Sequence, residues 1–194
     1  MIIRNIKPDD IDEILALQKL SFPGMDPWKK EQLESHLAIF PEGQICAEYD
    51  GEIIGSCSSL IVNFDEYDDQ HTWDDITDEG YITNHNPEGY NLYGIEVMVH
   101  PKYRGMKIGR RLYEARKDLA RELNLKSIII GGRIPNYHKH SAEMSPREYV
   151  EQVIHHKIYD PVLSFQLMNG FTLMRINPGY LPDDLASNKY ATLM

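Results

Sequence analysis

The sequence has 194 residues, of which 42% are hydrophobic, and a formal net charge of −10. A chain of this length suits one domain with a sizeable core and leaves little room for a second independent core. It contains no apolar run of 18 residues, and its N-terminal residues lack the basic-then-apolar order of a signal peptide. We therefore expect a cytoplasmic protein with no membrane partner.

Charge is distributed unevenly along the chain. Residues 31–101 contain sixteen acidic residues and no lysine or arginine, whereas residues 102–139 contain eleven basic and three acidic residues. This asymmetry favours two partners of opposite charge, and a solvated surface with clustered charges is the alternative. The basic segment is short and aromatic residues are not interleaved through it, so we expect no nucleic-acid partner.

The N-terminal part predicts one strand followed by two helices. Residues 1–7 alternate in hydrophobicity as a strand does, and apolar residues then recur at helical spacing over residues 11–17. Asp26 followed by Pro27 is a helix start signal, with Asp26 as the cap and residues 28–37 as the helix.

The dipeptide Asp50-Gly51 between two apolar runs predicts a β-hairpin. A two-residue turn there places Cys46 opposite Gly55 and diagonal to Cys57, roughly 7–8 Å away. This spacing disfavours a disulfide, so we expect the only two cysteines to be buried free thiols.

The rest of the chain begins with an acidic excursion, residues 64–90, which carries nine acidic residues and no periodicity. A connection of this length inside a compact domain is usually functional or disordered. Beyond it the pattern predicts a strand at residues 91–99, an amphipathic helix at 108–123 and a buried strand at 126–132. An insert with a short capped helix follows at residues 133–160, and a final helix with two strands at 161–194. Strands that alternate with helices and hairpins predict an α/β (α+β) fold, a single domain over residues 1–194 whose mixed central sheet of about seven strands has helices on both faces.

Residues 99–112 place two glycines and several basic side chains between a strand and a helix. Amides in the first turn of a helix lack intrahelical partners and lie at the positive end of its dipole, so they bind anions. With the helix beginning near Ile108, the cations around this turn are Arg104, Lys107, Arg110 and Arg111. The stretch predicts a cradle for phosphate or pyrophosphate, and a turn that merely needs its glycines is the alternative. It matches neither the P-loop nor the G-x-G-x-x-G fingerprint.

The run from Val97 to Leu112 resembles the acyl-CoA signature of the GNAT N-acetyltransferases, a V-x-P-x-[YF]-[RQ]-G-x-G-x-G-x-x-L pattern. Gly170-Phe171 resembles the C-terminal glycine-phenylalanine pair of that family, and the order of elements fits its fold over the whole chain. Three further stretches resemble the GNAT domain found fused ahead of carbon–nitrogen hydrolase (nitrilase-like) domains in some bacterial proteins: residues 131–140, 159–171 and 179–184. Because the sequence contains no hydrolase part, it is either a stand-alone relative or a fragment.

The resemblance implies acetyl-CoA as the co-substrate. It puts the CoA diphosphate on the amides of residues 105–110 and pairs the pantetheine arm, like an added strand, with the backbone of residues 97–99. The CoA-binding residues it implies are Val97, Met98, Val99, Arg104, Gly105, Met106, Lys107, Ile108, Gly109 and Arg110.

Two residues depart from the family pattern. Lys107 replaces its middle glycine, which requires a backbone conformation that tolerates a Cβ. Gln166 stands where the family commonly has a tyrosine as general acid. Since glutamine cannot give up a proton, either another group takes that role or acetyl transfer is slow or absent.

The catalytic candidates are Glu96, Tyr137 and His138. Acetyl transfer to an amine needs a base, and Glu96 lies on the strand that holds the thioester in this family; a solvated strand residue is the alternative. Tyr137 and His138 lie in the loop after a buried strand, on the side where the fold places substrate, and an exposed polar loop is the alternative. No cysteine, histidine or carboxylate spacing predicts a metal site.

The function that these patterns favour is transfer of an acetyl group from acetyl-CoA to a primary amine by direct attack. The acidic segment favours a cationic acceptor, either a small molecule or a peptide side chain. A non-catalytic acyl-CoA-binding domain that regulates or docks a hydrolase partner is one alternative, and an interaction module with a vestigial cradle is another. A homodimer or a hydrolase domain is left open as the protein partner.

Overall fold

The computed structural model describes residues 1–194. Its helices α1 to α6 are, in chain order, Ile11–Ser21, Lys30–Ile39, Trp73–Thr77, Ile108–Glu122, Pro146–Ile154 and Leu163–Met168. Its strands β1 to β7 are Ile2–Asn5, Gln44–Tyr49, Glu52–Val62, Asn91–Val99, Ser127–Arg133, Arg175–Asn177 and Ala191–Leu193. The chain forms two compact units, the first of residues 1–67 and 74–129 and the second of residues 68–73 and 130–194.

The strands form one mixed sheet in the order β1-β2-β3-β4-β5-β7-β6. β1 to β4 pair antiparallel in sequence, and β7 pairs antiparallel with both β5 and β6. β4 and β5 are neighbours that begin side by side, since Lys126 N donates to Tyr90 O at 2.8 Å just before both strands. The two strands therefore run parallel. Helix α4 is the crossover that a parallel pair needs. The predicted α/β class with a central sheet of about seven strands is confirmed.

Helices cover both faces of the sheet in the first unit. Cys46 and Met98 pack with α1 and α2 on one face, in a buried cluster that includes Ile14. Ala47 and Cys57 pack with α4 on the opposite face. Because neighbouring residues of a strand point to opposite faces, β2 contributes alternate side chains to the two clusters. The two cysteines are consequently on different faces, and both are buried and free as predicted.

The hairpin register differs from the prediction. Cys46 pairs with Ser56, not with Gly55, because Ile54 is an extra residue between the pairs Ala47–Gly55 and Glu48–Ile53. A β-bulge of this kind adds one unpaired residue to one strand and shifts the register beyond it. The turn dipeptide alone carries no signal for such an insertion.

Helix α2 begins at Lys30, so the predicted start at Asp26-Pro27 was wrong. The Gln18 side chain holds this segment in a loop, since its amide nitrogen donates to Asp26 O at 3.4 Å and its oxygen accepts from Trp28 N at 3.3 Å. Gln32 instead caps the helix, accepting a 2.8 Å hydrogen bond from Lys29 N.

The acidic excursion is ordered and tied to α2. Three α2 side chains bond consecutive backbone carbonyls of the excursion: Gln32 to Glu79 O, Ser35 to Tyr81 O, and His36 to Gly80 O. The predicted capping box at the start of α5 is confirmed, and the two C-terminal strands are three residues long each. None of the helices is long and apolar enough to cross a membrane.

Candidate functional site

The turn before α4 contains two residues with positive φ, Gly105 and Lys107. Gly105 has φ of +91°, and an added Cβ there would meet nothing within 4 Å. Lys107 is the N-cap of α4 and adopts the left-handed conformation, with φ 59° and ψ 23°. This conformation is uncommon for a residue with a Cβ, so Lys107 keeps the backbone shape that a glycine would adopt freely.

The first-turn amides of α4 precede its hydrogen-bonded ladder, which starts where Arg111 N donates to Lys107 O at 3.1 Å. Four exposed cations lie in the turn and at the start of α4, and none of them forms an ion pair: Arg104, Lys107, Arg110 and Arg111. Unpartnered cations beside a helix N-terminus create a strongly positive surface. The arrangement is suited to an anionic group with several oxygens, such as a diphosphate.

A β-bulge interrupts β4 next to the turn. Glu96 pairs with Ser58, but the next pair is Gly94 with Ser59, so Ile95 is the extra residue of the bulge. Beyond the bulge, residues 97–99 continue the ladder with β3. The bulge changes which residues of β4 face each side of the sheet, and it brings the Glu96 side chain onto the α1–α2 face beside Met98.

Glu96 is the one titratable side chain lining a small, partly open cavity of about 10 Å³, about the size of one water molecule. Its Oε1 accepts hydrogen bonds from Ser56 Oγ at 3.0 Å and Ser58 Oγ at 3.1 Å. Its Oε2 is buried and has no partner. The other residues that line the cavity are Ile14, Leu15, Gln18, Trp28, Leu33 and Met98.

Burial raises the pKa of Glu96 to about 7, even though Arg116 and the two serine hydroxyls favour its ionised form. A carboxyl group that titrates near neutrality and keeps one free oxygen can accept a proton from a neighbouring group. The sequence singled out Glu96 but missed the two serines. Their signal was the alternation along β3, which puts Ser56 and Ser58 on one face.

Tyr137 and His138 lie in the second unit. Tyr137 is buried, donates from its hydroxyl to Met144 O at 3.2 Å, and packs against the rings of Tyr149 and Tyr190. Burial raises its pKa. His138 is exposed, and its Nδ1 lies 2.8 Å from Pro135 O and 3.0 Å from Ala186 O. Since carbonyls only accept, Nδ1 is the donor in these contacts, and Nε2 is the ring nitrogen that makes neither of them.

Sequence comparison assigns the family. The profile of the acetyltransferase (GNAT) family matches residues 11–141. A Bacillus subtilis (strain 168) relative named an uncharacterized N-acetyltransferase, YkwB, is 41% identical over 99% of this chain and 86% of its own length. The chain belongs to the GNAT acetyltransferase family.

A second relative from the same organism, named probable hydrolase YhcX, is 79% identical over the whole chain. The chain spans 38% of the length of that relative. Among solved structures, a GNAT-like decarboxylase, GphF, in complex with isobutyryl-CoA has a TM-score of 0.87 at 22% identity, covering 100% of this chain and 97% of its own. At this identity the similarity establishes the GNAT fold alone.

Gln166, the residue at the predicted tyrosine position, is a buried residue of α6. Its side-chain amide lies against Gly132 of β5, where any Cβ would overlap it, and its Oε1 has no hydrogen-bond partner. A glutamine here therefore depends on glycine at position 132. It offers an amide N–H as a donor but no ionisable proton.

Proposed function

We propose that this GNAT chain transfers an acetyl group from acetyl-CoA to a primary amine. The observation that carries the proposal is the coincidence, at the start of α4, of open first-turn amides with four cations that have no ion-pair partner. In this proposal the amides from Gly105 to Arg110 hold the CoA diphosphate, and Arg104 adds a charge-assisted hydrogen bond. The backbone of residues 97–99 pairs with the pantetheine arm.

Glu96 is the proposed base. Its free Oε2 takes a proton from the ammonium form of the acceptor, either directly or through one water, and the neutral amine attacks the thioester carbonyl. The new N–C bond forms, the C–S bond breaks, and the CoA sulfur leaves with the electron pair. The second amine proton is lost to solvent, and the thiolate takes up one proton.

Tyr137 and His138 are the proposed groups for proton transfer to the thiolate, because Gln166 has no proton to give. A raised pKa keeps Tyr137 protonated at neutral pH, and a protonated hydroxyl can donate. Tyr137→Phe and His138→Gln test this step separately. The residue that serves as donor is the one whose replacement lowers kcat without changing the affinity for CoA.

The proposed acceptor is cationic. Helix α2 carries Leu33 into the Glu96 cavity, and the exposed acids Glu31 and Glu34 lie on the same helix, with Glu79 on the excursion bonded to it. None of these three carboxylates forms an ion pair or a hydrogen bond, so their negative charge is not offset. A region of one sign attracts ligands of the opposite sign.

The test of the acceptor class is replacement of Glu31, Glu34 and Glu79 together by glutamine. We expect KM for cationic amines to rise about tenfold at low salt while the acetyl-CoA affinity stays unchanged. A matched control neutralises three exposed acids elsewhere, Asp9, Glu122 and Glu143, and should leave KM unchanged. Preference for neutral or anionic acceptors in an amine panel contradicts the proposal.

The test of the reaction itself is calorimetry with acetyl-CoA and CoA, followed by measurement of free-thiol release across the amine panel. Binding with thiol release is the expected result. Binding without release for any amine supports instead an acyl-CoA-binding domain that regulates a hydrolase partner, a function suggested by Gln166 and by the name of the longer relative YhcX. Absence of CoA binding excludes both.

A further inference from the structure

Arg116 is a buried charge that the proposed reaction does not use. It lies on α4 with 1% of its surface exposed, and it forms no direct ion pair. A guanidinium is costly to remove from water unless hydrogen bonds and a compensating charge replace its hydration. The groups around Arg116 should therefore include the hydrogen-bond acceptors and the negative charge that stabilise the buried guanidinium.

The guanidinium bonds to both strands beside the β4 bulge. Nε donates to Ser59 Oγ at 2.9 Å, and Nη2 donates to Ser58 O at 2.8 Å and to Glu96 O at 2.7 Å. Ser58 and Glu96 form the last cross-strand pair before the register shift. One nitrogen thus ties together the two backbones at the point where the bulge re-aims the Glu96 side chain.

Arg116 also supplies the positive charge felt by Glu96. From β3, Glu96 meets the uncharged hydroxyls of Ser56 and Ser58, and the α1–α2 side of its cavity contributes no charged group. The Cys57 thiol, on the other face, is kept protonated by burial, which raises its pKa to about 12. Arg116 is the cation whose attraction favours the carboxylate form of Glu96.

We infer that Arg116 is a positioning residue for the acetyl transfer: its guanidinium holds the β4 bulge and balances the charge of the Glu96 carboxylate. The inference rests on the proposed role of Glu96 as the base. Arg116 touches neither reactant and acts through Glu96. Without the cation, Glu96 stays protonated to a higher pH and fewer molecules carry an active base at neutrality.

The experiment compares Arg116→Met, which removes the charge and the hydrogen bonds, with Arg116→Lys, which keeps the charge. The Glu96 carboxyl is followed by ¹³C NMR between pH 5 and 9 in the protein without CoA, and Glu96→Gln identifies its resonance. The same proteins are assayed for thiol release with acetyl-CoA and an accepted amine. We expect the Glu96 midpoint to rise by about one pH unit or more in the methionine variant, with the acid limb of kcat moving equally.

In Arg116→Lys we expect the midpoint of the Glu96 titration to stay near that of the unmodified protein. We expect kcat to fall at every pH, because one ammonium cannot reproduce the three hydrogen bonds of the guanidinium at the bulge. An unmoved midpoint in Arg116→Met, or unchanged kcat in Arg116→Lys, overturns the inference. If the methionine variant does not fold, Arg116→Gln takes its place in the same titration and must show the same upward shift. The NMR titration needs no acetyl transfer. If all the proteins lack activity, the proposed function is contradicted, but the effect of Arg116 on the Glu96 titration midpoint is still measured.

Discussion

Two charged regions of the first unit differ in how far their charged side chains are exposed to solvent. At the start of α4, four cations are exposed and form no ion pair, whereas beside the β4 bulge Arg116 is buried, Glu96 is partly buried, and both are hydrogen-bonded. Exposed charges are screened by salt and each contributes modestly to binding. In the second region, burial and the nearby guanidinium act in opposite directions on the pKa of Glu96, so the charge of this carboxyl depends on pH near neutrality. The first region is suited to holding an anion, and the second to moving a proton.

The largest expected effect is at the buried region. Glu96→Gln keeps the shape of the side chain and removes its basicity, so we expect kcat for acetyl transfer to fall about 100-fold or more. The acetyl-CoA affinity measured by calorimetry should stay within about twofold, because position 96 contributes no charge to the α4 turn. Ser58→Ala is the control, since it removes one hydrogen bond but keeps the carboxylate. A glutamine variant with nearly full activity would assign the base to another residue.

The pH dependence of kcat should report the same group. With the pKa of Glu96 at about 7, the carboxylate form is the minority below pH 7, and kcat should fall about tenfold per pH unit there. The rate at pH 6 is then roughly one tenth of its plateau value. An acid limb centred near pH 4 to 5 would mean that the carboxyl is hydrated during the reaction.

The same pKa has a consequence for stability. Because the folded-state pKa of Glu96 lies above its ordinary value of 4.5, the folded protein gains stability from the protonated group below about pH 4.5 and loses it as pH rises to about 7. The loss amounts to about 3 kcal/mol. Denaturant unfolding at pH 4 and pH 8 measures this loss as the change in the stability difference between the unmodified protein and Glu96→Gln, whose side chain at position 96 does not titrate.

A smaller effect is expected at the exposed turn. Arg104→Ala should weaken acetyl-CoA binding about tenfold at low salt, because it removes a charge-assisted hydrogen bond to phosphate. The loss should shrink at 0.5 M salt, which screens exposed charges. Arg121→Ala, an exposed arginine at the other end of α4, is the matched control and should not change the affinity. Equal losses in both variants would show a general effect of net charge.

The smallest effect is expected at Lys107. Lys107→Gly relieves the left-handed backbone and should raise the free energy of unfolding by about 1 kcal/mol. It should also weaken CoA binding about threefold at low salt, because one cation is lost. Gly105→Ala should act in the opposite direction on stability, since it puts a Cβ on a residue with φ of +91°. Unchanged or tighter CoA binding in Lys107→Gly would show that the lysine charge is incidental.

The amino-acid sequence determined the class of fold and the location of the exposed turn. Periodicity and capping signals follow from interactions within a few residues, and they predicted α1, α4 and α5 together with the order of strands. Glycines and basic residues close together in sequence were sufficient to mark the turn before α4, because a helix N-terminus binds anions by its local geometry alone.

The tertiary structure decided everything that depends on register between strands. The bulges at Ile54 and Ile95 arise from pairing between segments far apart in sequence, and neither has a local signal. The bulge at Ile95 determines which side of the sheet Glu96 faces, and Arg116 reaches it from α4, twenty residues further along the chain. The sequence could name Glu96 as a candidate base, but its pKa depends on burial and on a distant cation, which exist only once the sheet and α4 have packed together.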